Sequence, residues 1–151
     1  MFEKRLMAGW GDMDFNSHMR NTAFLDKSAD VRMMFFSENG FPMEEFVRRR
    51  IGPVIRRDEL EYFKEVRLLE ELRVTLVMAG LAEDGSRFLI RNEFWRTDET
   101  LSAIVTSAGG WLDLDLRRLV AAPEGLLAAL RLLPHTEDFQ RLPSAIKEAG
   151  G

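Results

Sequence analysis

The chain contains no cysteine, which excludes disulfides, a thiolate nucleophile and cysteine-ligated metal. Histidine is nearly as scarce: His18 and His135 are the two present, with no HxxxH or HExxH spacing, so a dedicated zinc site is not expected. No GxGxxG or GxxxxGK[ST] loop occurs, which excludes nucleotide cofactors bound that way, and no G-x-S-x-G elbow supports a Ser-His-Asp triad. No metal or bound cofactor is therefore expected. No apolar run approaches the roughly 20 residues that span a bilayer. Met1-Phe2-Glu3-Lys4-Arg5 lacks the apolar stretch and cleavage site of a secretory leader, so a cytoplasmic protein without a membrane partner is expected. There is no basic excess either. A formal charge of −4 argues against a general nucleic-acid binder. Local clusters remain, at Arg48-Arg49-Arg50, Arg56-Arg57 and Arg117-Arg118, and a phosphate-bearing ligand responds to such clusters more than to the total.

What is present suits one core. The 151 residues are 46% hydrophobic and 30% charged, and the expectation is a single domain over 1–151. Residues 1–11 read as a short strand and 12–20 as a loop. Thr22 to Phe36 holds neither Gly nor Pro and spreads apolar bulk widely, predicting a mostly buried helix from an Asn21 N-cap to about Glu38, stopped by Asn39-Gly40. Pro42 to Arg50 reads as a second, short helix, with acids in its first turn and arginines in its last. Gly52-Pro53 is expected to break the chain. Four strands in a meander follow: Val54–Val66, Glu71–Leu81, Arg87–Arg96 and Leu101–Leu114. Turns at Glu83-Asp84-Gly85-Ser86 and Thr97-Asp98-Glu99-Thr100 join the last three. Gly109-Gly110 signals a bulge or a close backbone approach. From about Pro123 a short helical tail is predicted over Glu124–Leu133, ending in a polar, mobile segment. The class is α+β: an antiparallel sheet of about five strands around one long central helix.

Chemistry concentrates in Asp12-Met13-Asp14-Phe15-Asn16-Ser17-His18-Met19-Arg20-Asn21, which holds two carboxylates, an imidazole, two amides and an arginine. The run ends where the long helix begins, beside backbone N–H groups that carry partial positive charge and have no partner inside the helix. Such groups stabilise a carbonyl oxygen as it becomes negative, which makes this a candidate acyl-transfer site.

That run, with Thr22-Ala23-Phe24-Leu25 after it, resembles the Asp-x-Asp-x-x-Gly-His-Val-Asn-Asn-x-x-Tyr-Leu pattern of hotdog-fold acyl-CoA thioesterases of the 4-hydroxybenzoyl-CoA thioesterase-like kind. Asp12, Asp14, His18, Asn21 and Leu25 match, and Phe24 stands close to Tyr. Ser17, Met19 and Arg20 depart from the pattern. Arg32, just after Asp30, resembles the family's acidic–Ala–Arg helix ending. The resemblance implies a hotdog fold and hydrolysis of an acyl-CoA. Asp14 attacks the thioester carbon or activates water, the amide near Asn21 forms the oxyanion hole, and His18 assists. It implies substrate contacts from Asn16, Arg20 and Phe24, and coenzyme phosphates held by arginines among Arg48–Arg50, Arg56, Arg57 or the later strands. It also implies a site between protomers of a homodimer or dimer of dimers.

Plainer readings stand beside these. Asp14 also suits a turn or helix cap, Asp12 a loop tether, Asn21 a helix cap, and the Met and Phe residues of the helix core. Glu61 is a reserve carboxylate. Rival functions are acyl-CoA or lipid binding without turnover, a hydratase or dehydratase on the same fold, and a structural interaction module.

Overall fold

The segment after Arg20, free of Gly and Pro, forms the long helix α1, Asn21–Glu38, in the computed structural model, which describes residues 1–146. Arg20, in extended conformation, is its N-cap, one residue earlier than expected. Asn21 is the first helical residue, and its side-chain oxygen accepts the Thr22 N–H at 2.9 Å. The helix stops as expected: Asn39 donates its side-chain amide to Phe35 O at 2.8 Å, and Gly40 takes φ +91, which a glycine adopts without strain. Helix α2, Met43–Arg49, follows Pro42 and ends at Arg50 in the left-handed region.

The strands are β1 (Phe2–Met7), β2 (Ile51–Tyr62), β3 (Glu71–Ala82), β4 (Arg87–Trp95), β5 (Leu101–Asp113), β6 (Arg118–Val120) and β7 (His135–Leu142), with helix α3 (Glu124–Leu132) before the last. The sheet order is β1-β3-β4-β5-β2, with β6 added to β5 and β7 to β3. Strands β3, β4 and β5 form the expected meander. Strand β2 does not join it beside β3; it crosses to the far edge and pairs with β5. Gly52-Pro53 does not break the chain but lies inside β2, opposite Leu112 and Trp111. An edge strand tolerates proline because one side of its backbone needs no ladder partner.

The close approach expected at Gly109-Gly110 is present. A Cβ on Gly109 would stand 2.1 Å from Val54 O, and one on Gly110 2.6 Å from Ser86 O. The bulge itself falls on the partner strand: Ile55 pairs Gly109 and Arg57 pairs Ala108, leaving Arg56 as the extra residue.

Residues 135–142 are ordered as a strand rather than a mobile end. Strand β7 runs parallel to β3 and pairs with Gly80, Leu81 and Ala82, beyond the stretch of β3 that β1 occupies. Gly80 permits this: a Cβ there would lie 3.2 Å from Gln140 O. The segment after β7 is tied down through Asp84, whose carboxylate accepts from the Ser86 and Ser144 hydroxyls, while Ala145 N donates to Ser86 Oγ at 2.8 Å.

The core lies between α1 and the sheet. Ala23, Phe24, Ser28, Val31, Phe35 and Phe36 bury one face of α1, whereas Leu25, Ala29, Met33 and Met34 are half-buried within the single chain. Phe36, Phe46 and Phe88 surround the fully buried Trp111. A sheet wrapped in this order on one long helix is the hotdog fold.

Candidate active site

The loop between β1 and α1 is built by its two aspartates. Asp12 Oδ2 lies 3.0 Å from Lys27 Nζ on α1 and accepts the Gly9 N–H at 2.8 Å. Burial raises the Asp12 pKa, but the Gly9 amide and the Lys27 ammonium outweigh it, leaving the net shift downward. Asp12 is thus a tether. Met19 N donates to Val66 O at 2.8 Å, and His18 bridges Arg67, so the loop is also stitched to the segment after β2.

Asp14 turns the loop back on itself. Its Oδ1 accepts the Asn16 N–H at 2.8 Å and the His18 N–H at 3.0 Å, and its own N–H donates to His18 O at 2.8 Å. Ser17, where the resembling pattern has Gly, takes φ +61 at the tip. The His18 amide, joined by the Asn16 amide, holds the Asp14 carboxyl below the usual carboxylate range against an opposing desolvation. Only Oδ1 is engaged; Oδ2 has no hydrogen-bond partner among the described residues.

An open cleft of about 390 Å³ lies here, lined by Asp14, Asn16, His18 and Met19 from the loop and by Tyr62 to Glu65 from the end of β2. His18 Nε2 stands 3.0 Å from Glu65 Oε2. Tyr62 and Phe63 are half exposed, and Phe15 is fully exposed at the loop tip. Among the first amides of α1, Thr22 N–H bonds Asn21 Oδ1 and Ala23 N–H bonds Arg20 O at 3.0 Å. The Asn21 N–H is the donor left for an incoming oxygen.

The sequence-derived candidates therefore divide. Asp14, Asn16 and His18 converge on the cleft, with Asn21 at the helix start beside Arg20. Arg20 is committed to the loop, donating through Nε to Thr22 Oγ1 at 2.7 Å and through its guanidinium to Gly11 O. Phe24 is 2% exposed and packs edge-on between Tyr62, at 5.6 Å, and Phe94, at 5.1 Å, so it supports the cleft from beneath. Arg56 and Arg57 line a different cavity, at the β2 bulge. Arg48 and Arg49 pair with Glu45, and Arg50 with Asp115.

The profile of the thioesterase-like superfamily matches residues 8–130, which span the loop, the helix and the sheet. The chain belongs to the thioesterase-like superfamily. The enzyme class of this thioesterase-like protein is thioester hydrolase. No curated protein matches it by sequence. Solved structures match it in fold. A Staphylococcus aureus protein in complex with CoA is 20% identical with a TM-score of 0.79, over 87% of this chain and 82% of that one. A 1,4-dihydroxy-2-naphthoyl-CoA thioesterase from Synechocystis is 14% identical with a TM-score of 0.77, over 86% and 95%. A probable thioesterase from Escherichia coli is 16% identical with a TM-score of 0.73, over 88% and 98%.

Sequence reasoning missed Glu65, the partner of His18, together with Phe63 and Lys64. Nothing local marks them; they reach the loop of this thioesterase-like protein because Val66 and Arg67 pair with Met19 and His18.

Proposed function

We propose that this thioester hydrolase acts on an acyl-CoA, with Asp14 as nucleophile or general base. The observation that carries the reading is the asymmetry of the Asp14 carboxylate, which is exposed at the cleft's lining: Oδ1 is pinned by two amides while Oδ2 has no hydrogen-bond partner among the described residues. A fixed, ionised oxygen beside a helix N-terminus is the arrangement acyl transfer requires. In the nucleophilic route Oδ2 bonds to the thioester carbon, the C–S bond breaks, and the coenzyme thiolate leaves. Water then opens the resulting anhydride to free acid and restored carboxylate. In the base route Oδ2 takes a proton from the attacking water. In both, the Asn21 N–H receives the developing oxyanion, and His18, oriented by Glu65, orders the water or the leaving sulfur.

The active unit in this reading is a homodimer or dimer of dimers. Strand β2 is a twelve-residue edge with one open side, and the cleft lies at its end with exposed Phe15, Tyr62 and Phe63 around it. A second copy covers both the edge and these rings.

Binding without turnover draws on the same carboxylate, because amides that lower its pKa also weaken it as a base. Acyl-CoA hydrolysis by wild type and by Asp14→Asn separates the two. Turnover in the wild type that is lost in the variant, with binding retained, supports hydrolysis at Asp14. Equal binding and no turnover in either supports the rival.

A further inference from the structure

The inner face of the sheet is laid out in rows. Phe94, Ala103 and Tyr62 are cross-strand partners on β4, β5 and β2, and Phe24 of α1 packs against both rings. Four residues further along the strands, Ile90, Ser107 and Asp58 form an equivalent row, and Arg32 of α1 donates to Ser107 Oγ at 3.3 Å. These two rows stand about 13 Å apart along extended strands. Phe24 to Arg32 is about 12 Å along the helix, so helix and strands run in step. The row between them is Asn92, Val105 and Leu60. Ser28, one turn from Phe24 and one turn from Arg32, lies over that middle row.

The deeper row satisfies itself: Ser107 accepts from Arg32 and donates to Asp58 Oδ1 at 2.6 Å. The middle row does not. Ser28 and Asn92 are both 0% exposed, and Ser28 Oγ and Asn92 Oδ1 have no hydrogen-bond partner among the described residues. The Asn92 amide is fixed from behind. Its Nδ2 donates to Thr75 O at 3.1 Å, while Thr75 Oγ1 accepts the Glu93 N–H at 3.2 Å. Turning the amide over would set its oxygen against a carbonyl oxygen, so Oδ1 stays the open acceptor. Phe88, Ile90 and Phe94 fill the other buried positions of β4 between them, and packing alone gives Asn92 no place among them. A buried polar atom without a partner is costly. One donor and one acceptor orphaned in the same row suit a single hydroxyl, which accepts from Ser28 and donates to Asn92.

The row in front of this pair borders the Asp14 cleft. Tyr62 lines the cleft and is 54% exposed on the edge strand, whereas Phe24 and Phe94 are buried. Tyr62 is thus the ring of its row with room to turn aside, and Leu60 behind it is half-buried. Asn21 to Ser28 is about 10 Å along the helix. That depth corresponds to the middle of an acyl chain, not to the carbons beside the thioester. We propose that Ser28 and Asn92 select a hydroxylated acyl group, whose hydroxyl is remote from the thioester and is bound between them. The inference rests on the acyl-CoA reading and adds the chemical class of the acyl group.

The test compares kcat/KM for decanoyl-CoA and its 6-, 8- and 10-hydroxy derivatives in wild type, Ser28→Ala and Asn92→Leu. Wild type is expected to favour at least one hydroxylated substrate over decanoyl-CoA by about a hundredfold, because the plain chain leaves both side chains unpaired. Ser28→Ala is expected to cut that preference by about tenfold, and to raise decanoyl-CoA turnover as the orphaned hydroxyl disappears. Asn92→Leu is expected to do the same. It also frees Thr75 O, so where thermal unfolding shows it poorly folded, Ser28→Ala, the loss of one oxygen atom, decides alone. Equal turnover of all the substrates by wild type overturns the proposal and leaves the two atoms to a buried water only. A preference that survives Ser28→Ala in full overturns it too. If no acyl-CoA is hydrolysed, the Asp14 reading fails, and calorimetric titration of the corresponding free acids into wild type and Ser28→Ala decides this one by the same ratio.

Discussion

Lys27 Nζ on α1 reaches 3.0 Å from Asp12 Oδ2 in the preceding loop, and both side chains are largely shielded, at 12% and 24% exposure. This pair couples the position of Asp14 to the second turn of the central helix. Asp12→Ala leaves the Lys27 ammonium without its partner and frees the Gly9 amide. It is expected to lower stability by about 2 kcal/mol, read by urea unfolding. Activity falls with it, and Lys27→Met is expected to reproduce both effects. An Asp12→Ala protein as stable as wild type would show that the pair does not hold the loop.

Asp14→Asn keeps the side-chain oxygen that accepts from Asn16 and His18 but removes the charge. The expected result is a fold of near-normal stability, with kcat reduced about a hundred- to ten-thousand-fold and acyl-CoA binding retained. Steady-state kinetics beside CoA titration measure the two separately.

Phe24 is expected to matter for stability before substrate preference. Replacing it by Ala removes a ring packed between Tyr62 and Phe94 and should cost about 3–5 kcal/mol. Phe24→Leu, a milder change, should lower the melting temperature while leaving the ranking of acyl-CoA substrates intact. A reordered ranking would place Phe24 at the acyl group after all.

Gly109→Ala forces a Cβ against Val54 O, a backbone atom 2.1 Å away that has nowhere to turn. The β2–β5 ladder must part at the bulge, at a cost of about 3 kcal/mol. Thermal unfolding checks this.

The pH dependence has a definite sign. Asp12 and Asp14 both titrate below the ordinary value of 3.8 in the folded chain. Groups lowered in this way contribute stability that is complete above the unfolded value and is lost as pH falls through the folded one. Stability should therefore be flat from neutrality to about pH 5 and decline below the ordinary carboxylate value. The acid limb of kcat/KM should lie in that same low range if Asp14 is the essential group. A limb lying well above that range would show that a group other than Asp14 is essential.

Local signals made the helices and hairpins legible. The Gly-free, Pro-free run gave α1, Asn39-Gly40 its end, and Asp84-Gly85 and Asp98-Glu99 the turns of the meander. What stayed hidden depends on partners distant in sequence. Strand β2 reads as the meander's first member, yet it pairs with β5 because that edge is open. His135 to Leu142 alternates poorly and is polar, and becomes a strand only because Gly80 leaves room beside β3. In the candidate site, Asp14, Asn16 and His18 stand out by residue type and spacing. Glu65 does not, since it arrives through the pairing of Val66 and Arg67 with the loop rather than through any motif of its own.

The parallel pairing of β7 with Gly80–Ala82 bears on how the protein can be handled. A chain trimmed after Leu133 would strip three consecutive residues of β3 of their neighbour and present raw amides and carbonyls to other molecules, inviting clumping in storage.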